Sequence, residues 1–133
     1  MIPTLTSDGL LPPGHYECTV EEIRRHFIDP YPNTNRHLLF SEWLAYNKRL
    51  QAILNVDGVI QWIDGSFVSD KPNPGDIDVV TFISHTIYES LENQLVEFYS
   101  TVALYNKGLD AYVCPVYPSA HWHYELFHQL RVD

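Results

Sequence analysis

Val59-Ile-Gln-Trp-Ile-Asp64, Gly65-Ser-Phe-Val-Ser69, Asp70-Lys-Pro-Asn-Pro-Gly75 and Asp76-Ile-Asp-Val-Val-Thr-Phe-Ile83 follow one another without a gap. Val59 to Ile63 is apolar and β-branched around Trp62, the composition of a buried strand. Gly65-Ser66 breaks it, since glycine permits a conformation or a close approach that a side chain forbids. Asp70 to Gly75 has the composition of a turn, with two prolines restricting its path. Asp76 to Ile83 is the next strand. A side-chain period of two puts Asp76 and Asp78 on one face and Ile77 and Val79 on the other. Two adjacent carboxylates repel unless a cation lies between them, so the pair suggests a site for a hard divalent metal such as Mg²⁺, with amides of the Gly-Ser turn nearby to hold phosphate. Without a ligand, the same residues read as a hairpin whose loop carries solvated aspartates.

This segment resembles the nucleotidyltransferases of the DNA-polymerase-β-like superfamily, and within it the minimal nucleotidyltransferases of bacterial toxin–antitoxin pairs. Their signature is an apolar strand ending in Gly-Ser, about ten further residues, then Asp-x-Asp with apolar flanks. Gly65-Ser66, nine residues and Asp76-Ile77-Asp78-Val79 match it in order and spacing. The resemblance covers roughly residues 59–116. It implies an α+β fold, a small mixed β-sheet packed against helices. It also implies a third carboxylate on a neighbouring strand, and Asp110 is the acid in Leu109-Asp-Ala-Tyr-Val-Cys-Pro-Val116. Asp76, Asp78 and Asp110 would then be catalytic and bind Mg²⁺ or Mn²⁺, with Asp110 helping to deprotonate an acceptor, while Gly65 and Ser66 hold the nucleotide phosphates. The alternative for Asp110 is a simple strand-opening residue after a glycine turn.

The implied reaction is transfer of a nucleoside monophosphate from ATP or another NTP to an acceptor, with release of pyrophosphate. The acceptor would be a partner protein such as a cognate toxin. Three features depart from the family pattern. Asp64 stands before Gly65 where an apolar or aromatic residue is usual. Phe67-Val68-Ser69 replaces the arginine and second glycine that often follow Gly-Ser, and Gly75 replaces a serine. They motivate two alternatives: a degenerate module, antitoxin-like, that binds nucleotide or partner without turnover, and a structural subunit with an acidic surface for a basic partner. Lys71 is the cation of the loop, placed either on a phosphate or in solvent.

Composition sets outer limits. At 133 residues the chain fits a single domain of residues 1–133: an arm and helices over 1–58, a core over 59–116 and a tail over 117–133. A hydrophobic fraction of 45% with 19% charged residues marks a globular chain. A net charge of −9 argues against a nucleic-acid surface, which needs a basic footprint. Cys18 and Cys114 suit buried free thiols better than a disulfide scaffold. With no signal-peptide pattern at the N-terminus and no apolar run of membrane length, a soluble cytoplasmic protein is expected.

The remaining elements follow from caps and periodicity. Leu10 and Leu11 are expected to anchor the N-terminal arm. Thr19-Val-Glu-Glu22 is a capping box opening a helix to Phe27, with Ile23 and Phe27 on one face. Asn35 to Leu54 is helical, with Leu39, Trp43, Tyr46, Leu50 and Ile53 facing the core, Arg36, Glu42, Lys48 and Arg49 mostly off that stripe, and Gly58 as its stop signal. Ser84 caps a helix over His85–Asn106 that buries Ile87, Leu91, Leu95, Phe98 and Val102. Leu109–Val116 is the third strand, ending at Pro115 or lying at a sheet edge. A last helix holds Trp122, Leu126, Phe127 and Leu130. His121, His123 and His128 lack a fourth partner for a metal cluster and read instead as a surface or interface face.

Overall fold

The computed structural model describes residues 1–99 and 101–118. Its centre is a three-stranded mixed sheet in the order β1 (Ile60–Asp64), β2 (Ile77–Ser84), β3 (Leu109–Val116). β1 and β2 pair antiparallel and β2 and β3 parallel, so helices between β2 and β3 carry the chain back to the start of the sheet. The expected α+β architecture is present. Among the described residues β3 is an edge strand, and Pro115 lies within it opposite Ile83. An edge position tolerates its missing N–H.

One sheet face belongs to the core. Ile77, Val79, Leu109, Ala111 and Val113 are buried there with Thr81. Against them packs α2 (Arg36–Leu54), which buries Leu39, Trp43, Tyr46 and Leu50 at helical spacing, with Ile53 half-buried beside them. Trp43 Nε1 donates to Gln61 Oε1 at 3.1 Å, so the indole's polar atom is satisfied. Two expectations for this helix fail. Arg36 is not off the stripe; its side chain is fully buried. The helix is closed by Asn55 in the left-handed conformation (φ 55°) rather than by Gly58. Asparagine tolerates that region at little cost, so glycine is not required there.

The capping box of α1 (Val20–Phe27) is formed: the Glu22 amide donates to Thr19 Oγ1 at 3.1 Å, and the Thr19 amide to Glu22 Oε1 at 3.2 Å. Ile23 and Phe27 are buried. The arm before it is fixed by Ile2, with Leu5 and Leu11 against the core, whereas Leu10 is 55% exposed and instead pairs its backbone with Ser69. Cys18 is also exposed, contrary to expectation, and Cys114 is half-buried on β3; among the described residues neither forms a disulfide.

The single helix expected over 85–106 is broken into α3 (His85–Ser90), α4 (Glu92–Leu95), a 3₁₀ turn at Val96–Phe98 and α5 (Val102–Asn106). Ser84 caps α3 as expected. The later break has two visible causes. Tyr46 donates its hydroxyl to the Phe98 carbonyl at 2.7 Å, taking it out of any helical ladder. Thr101 caps α5 by accepting from the Leu104 amide at 3.2 Å. The restart shifts the phase, so Leu104 is buried and Val102 is 78% exposed. The expected last helix and His121, His123 and His128 lie outside the described residues. Among the described residues no helix is long and apolar enough to cross a membrane.

Candidate metal and nucleotide site

The face of the sheet opposite the core carries the acids. With Ile77 and Val79 turned into the core, strand alternation turns Asp78 the other way. Asp76 immediately precedes β2, and Asp110, the second residue of β3, pairs directly with Asp78. Asp76, Asp78 and Asp110 are all half-buried, and each offers a carboxylate oxygen within 4.8 Å of the others. The three acids singled out from the sequence therefore converge, from two adjacent strands.

Their proximity is electrostatically unfavourable. Burial, the charges of Asp76 and Asp110, a hydrogen bond with Asp110 and the charge of Asp64 together push Asp78 up to about 6 from an ordinary value of 3.8. Without a cation, this carboxyl holds its proton into mildly acidic conditions, which lets it share a hydrogen bond with Asp110. An oxygen-rich, anionic donor set of this kind matches what Mg²⁺ or Mn²⁺ takes.

Gly65 adjoins the cluster. Its φ is +83°, and a Cβ on it would overlap Asp78 Oδ2 and lie 3.1 Å from Asp78 Cγ. Only glycine fits both the dihedral and the contact. Ser66 then opens a 3₁₀ turn (Ser66–Val68) that buries Phe67 completely. The expected Gly-Ser turn thus abuts the acid pair. Lys71 is exposed, and its amide donates to Ser69 Oγ at 3.2 Å.

Asp64 is the residue whose place the sequence pattern did not reveal. It lies opposite Asp78 in the β1–β2 ladder, so Asp64, Asp78 and Asp110 form one row across all three strands. Its Oδ1 accepts from the Gly65 amide at 2.8 Å. The signal was available: in a hairpin the last residue of the first strand pairs near the first of the second.

Arg36 was missed as well. From the first turn of α2 its guanidinium reaches under the loop that carries Ser66. Nη1 donates to the carbonyls of Phe27 (3.0 Å) and Phe67 (2.6 Å). Nη2 donates to those of Ser69 (2.7 Å), Lys71 (2.6 Å) and Ser66 (3.4 Å), and Nε to that of Lys71 (3.0 Å). The guanidinium also lies over the rings of Tyr31 (4.4 Å) and Phe67 (5.4 Å). Burial lowers its pKa, opposed by Tyr31 and Asp70, yet a guanidinium stays protonated in proteins.

The chain belongs to the DUF6932 family, a family of unknown function, whose model matches residues 3–132. Searches of curated proteins and of solved structures found no match to it.

Proposed function

We propose that this member of the DUF6932 family is a metal-dependent nucleotidyltransferase, moving a nucleoside monophosphate from ATP or another NTP to an acceptor. The observation that carries the reading is the convergence of Asp76, Asp78 and Asp110 within 4.8 Å beside the Gly65-Ser66 turn. The donor set fits a hard divalent cation: three carboxylates, oxygen ligands only, with Asp78 raised by burial and by the charges of Asp76 and Asp110. Asp76, Asp78 and Asp110 would hold Mg²⁺ or Mn²⁺. When bound, such ions polarise the phosphates and offset charge on the attacking and leaving oxygens.

The chain's own groups divide the remaining tasks. The Ser66 hydroxyl would hold a terminal phosphate. The Asp110 carboxylate takes the proton of the acceptor hydroxyl as its oxygen bonds to the α-phosphorus. The bond from that phosphorus to the β-phosphate oxygen breaks, and pyrophosphate leaves with the electron pair. A net charge of −9 speaks against a nucleic-acid acceptor, and the acceptor in this reading is a protein, such as a toxin encoded beside it.

The direct experiment is incubation with ATP labelled at the α-phosphate, with Mg²⁺ or Mn²⁺, alone and with the product of an adjacent gene. Label transfer with stoichiometric pyrophosphate, lost in Asp110→Asn, is the expected result. No incorporation with any NTP or metal would overturn it.

One observation favours a second reading, a degenerate nucleotide- or partner-binding module. The Gly65 amide, which the resemblance assigns to phosphate, is held by Asp64 Oδ1 at 2.8 Å. That module would bind nucleotide without releasing pyrophosphate, and Asp64→Ala would strengthen the binding by freeing the amide.

A further inference from the structure

A cation with no exposed surface needs a reason, because desolvating it is costly and an apolar side chain of similar size packs at least as well. Arg36 makes six hydrogen bonds to five main-chain carbonyls, four of them in residues 66–71. A five-donor planar fork can collect several carbonyls at once, which an ammonium cannot. The carbonyl and N–H of a trans peptide point in opposite directions. Turning the Ser66 carbonyl onto Arg36 therefore turns the Phe67 amide away from it. Three other amides of the loop already have acceptors: Val68 donates to Gly65 O (3.3 Å), Asp70 to Gly9 O (3.0 Å) and Lys71 to Ser69 Oγ (3.2 Å). Ser69 Oγ in turn donates to Ser66 O at 2.5 Å, reinforcing the same turn. At its other end the turn is pressed by Gly65 against Asp78.

We propose that Arg36 is a positioning residue for the nucleotide: by gathering the inward carbonyls of residues 66–71 it fixes the Ser66 hydroxyl and the Phe67 amide against the acid row, setting the seat of the donor's terminal phosphates. This rests on the nucleotidyltransferase reading above. Arg36 touches neither donor nor metal and acts only through the loop. Its loss would leave Asp78 and Asp110, which are carried by β2 and β3, and Asp76, which immediately precedes β2, in place.

The test separates metal binding from phosphate binding. Mn²⁺ alone, followed by electron paramagnetic resonance, reports the carboxylates. The non-hydrolysable α,β-methylene analogue of ATP, titrated calorimetrically at saturating Mn²⁺, reports the loop. In folded Arg36→Lys, Mn²⁺ affinity should stay within about twofold of wild type while analogue affinity falls about tenfold, because three donors cannot replace the fork. Ser69→Ala, which removes the second tie without burying a lone charge, should weaken the analogue about threefold and leave Mn²⁺ unchanged. Equal analogue affinity in both variants, or a matching loss of Mn²⁺ affinity, would overturn the assignment. If Arg36→Lys does not fold, an unchanged Ser69→Ala is enough to overturn it. Wild-type protein that binds Mn²⁺ but never the analogue would sink the transferase reading and this role together; wild type that binds while the variants match it sinks only the role of Arg36.

Discussion

Gly65 lies directly against the Asp78 carboxylate, with its backbone at φ +83°, so that a Cβ would overlap Oδ2. Gly65→Ala should therefore destabilise the fold by about 2–3 kcal/mol, part from the left-handed dihedral and part from displacing Asp78. Gly75→Ala is the control, since a Cβ there meets nothing within 4 Å. Its effect should stay within about 0.5 kcal/mol. Urea unfolding of the two variants makes the comparison; equal effects would remove the steric link between the turn and the acids.

The raised pKa of Asp78 gives a pH signature. Its folded value of about 6 exceeds the ordinary 3.8, so the folded state binds this proton more tightly than the unfolded chain. The stability it contributes is complete below about 3.8 and is lost as pH rises through about 6. Metal-free protein should accordingly melt at lower temperature at pH 7 than at pH 5, by comparison with Asp78→Asn, in which this difference vanishes. Saturating Mg²⁺ should reverse it, offsetting the charge that the proton otherwise removes. Identical pH dependence in wild type and Asp78→Asn would count against the crowding of the three carboxylates.

The break in the helical crossover is tested by two substitutions two residues apart. Leu104→Ala should cost about 2–4 kcal/mol as a buried leucine, whereas Val102→Ala should be near neutral because Val102 is 78% exposed. A continuous helix burying Val102 would give the opposite order.

Much of this was readable from local pattern. The three strands, the Thr19 capping box, the α2 stripe and the placement of Asp76 and Asp78 opposite Ile77 and Val79 all follow from periodicity and caps, which act over a few residues. What failed depended on distant partners. The helix over 85–106 looks continuous by period, but Tyr46 takes the Phe98 carbonyl from it at 2.7 Å, and no neighbour in sequence records that. Arg36 reads as a polar helix residue until the loop at 66–71, thirty or more positions away, folds its carbonyls around it. Asp64 looked like an intrusion beside the phosphate site, and only the strand register puts it in line with Asp78 and Asp110. Local rules foresaw Asp76 and Asp78, the family resemblance pointed to Asp110, and the supporting arginine and the fourth acid required tertiary pairing.

The most direct measurement is calorimetric titration of ATP into the wild-type chain and into Asp78→Asn, each with and without Mn²⁺. Binding by wild type only when Mn²⁺ is present, and none by Asp78→Asn, is the expected result. Nucleotide binding that ignores both the ion and the substitution, or no binding under any condition, would contradict a cation-mediated nucleotide site at Asp76, Asp78 and Asp110.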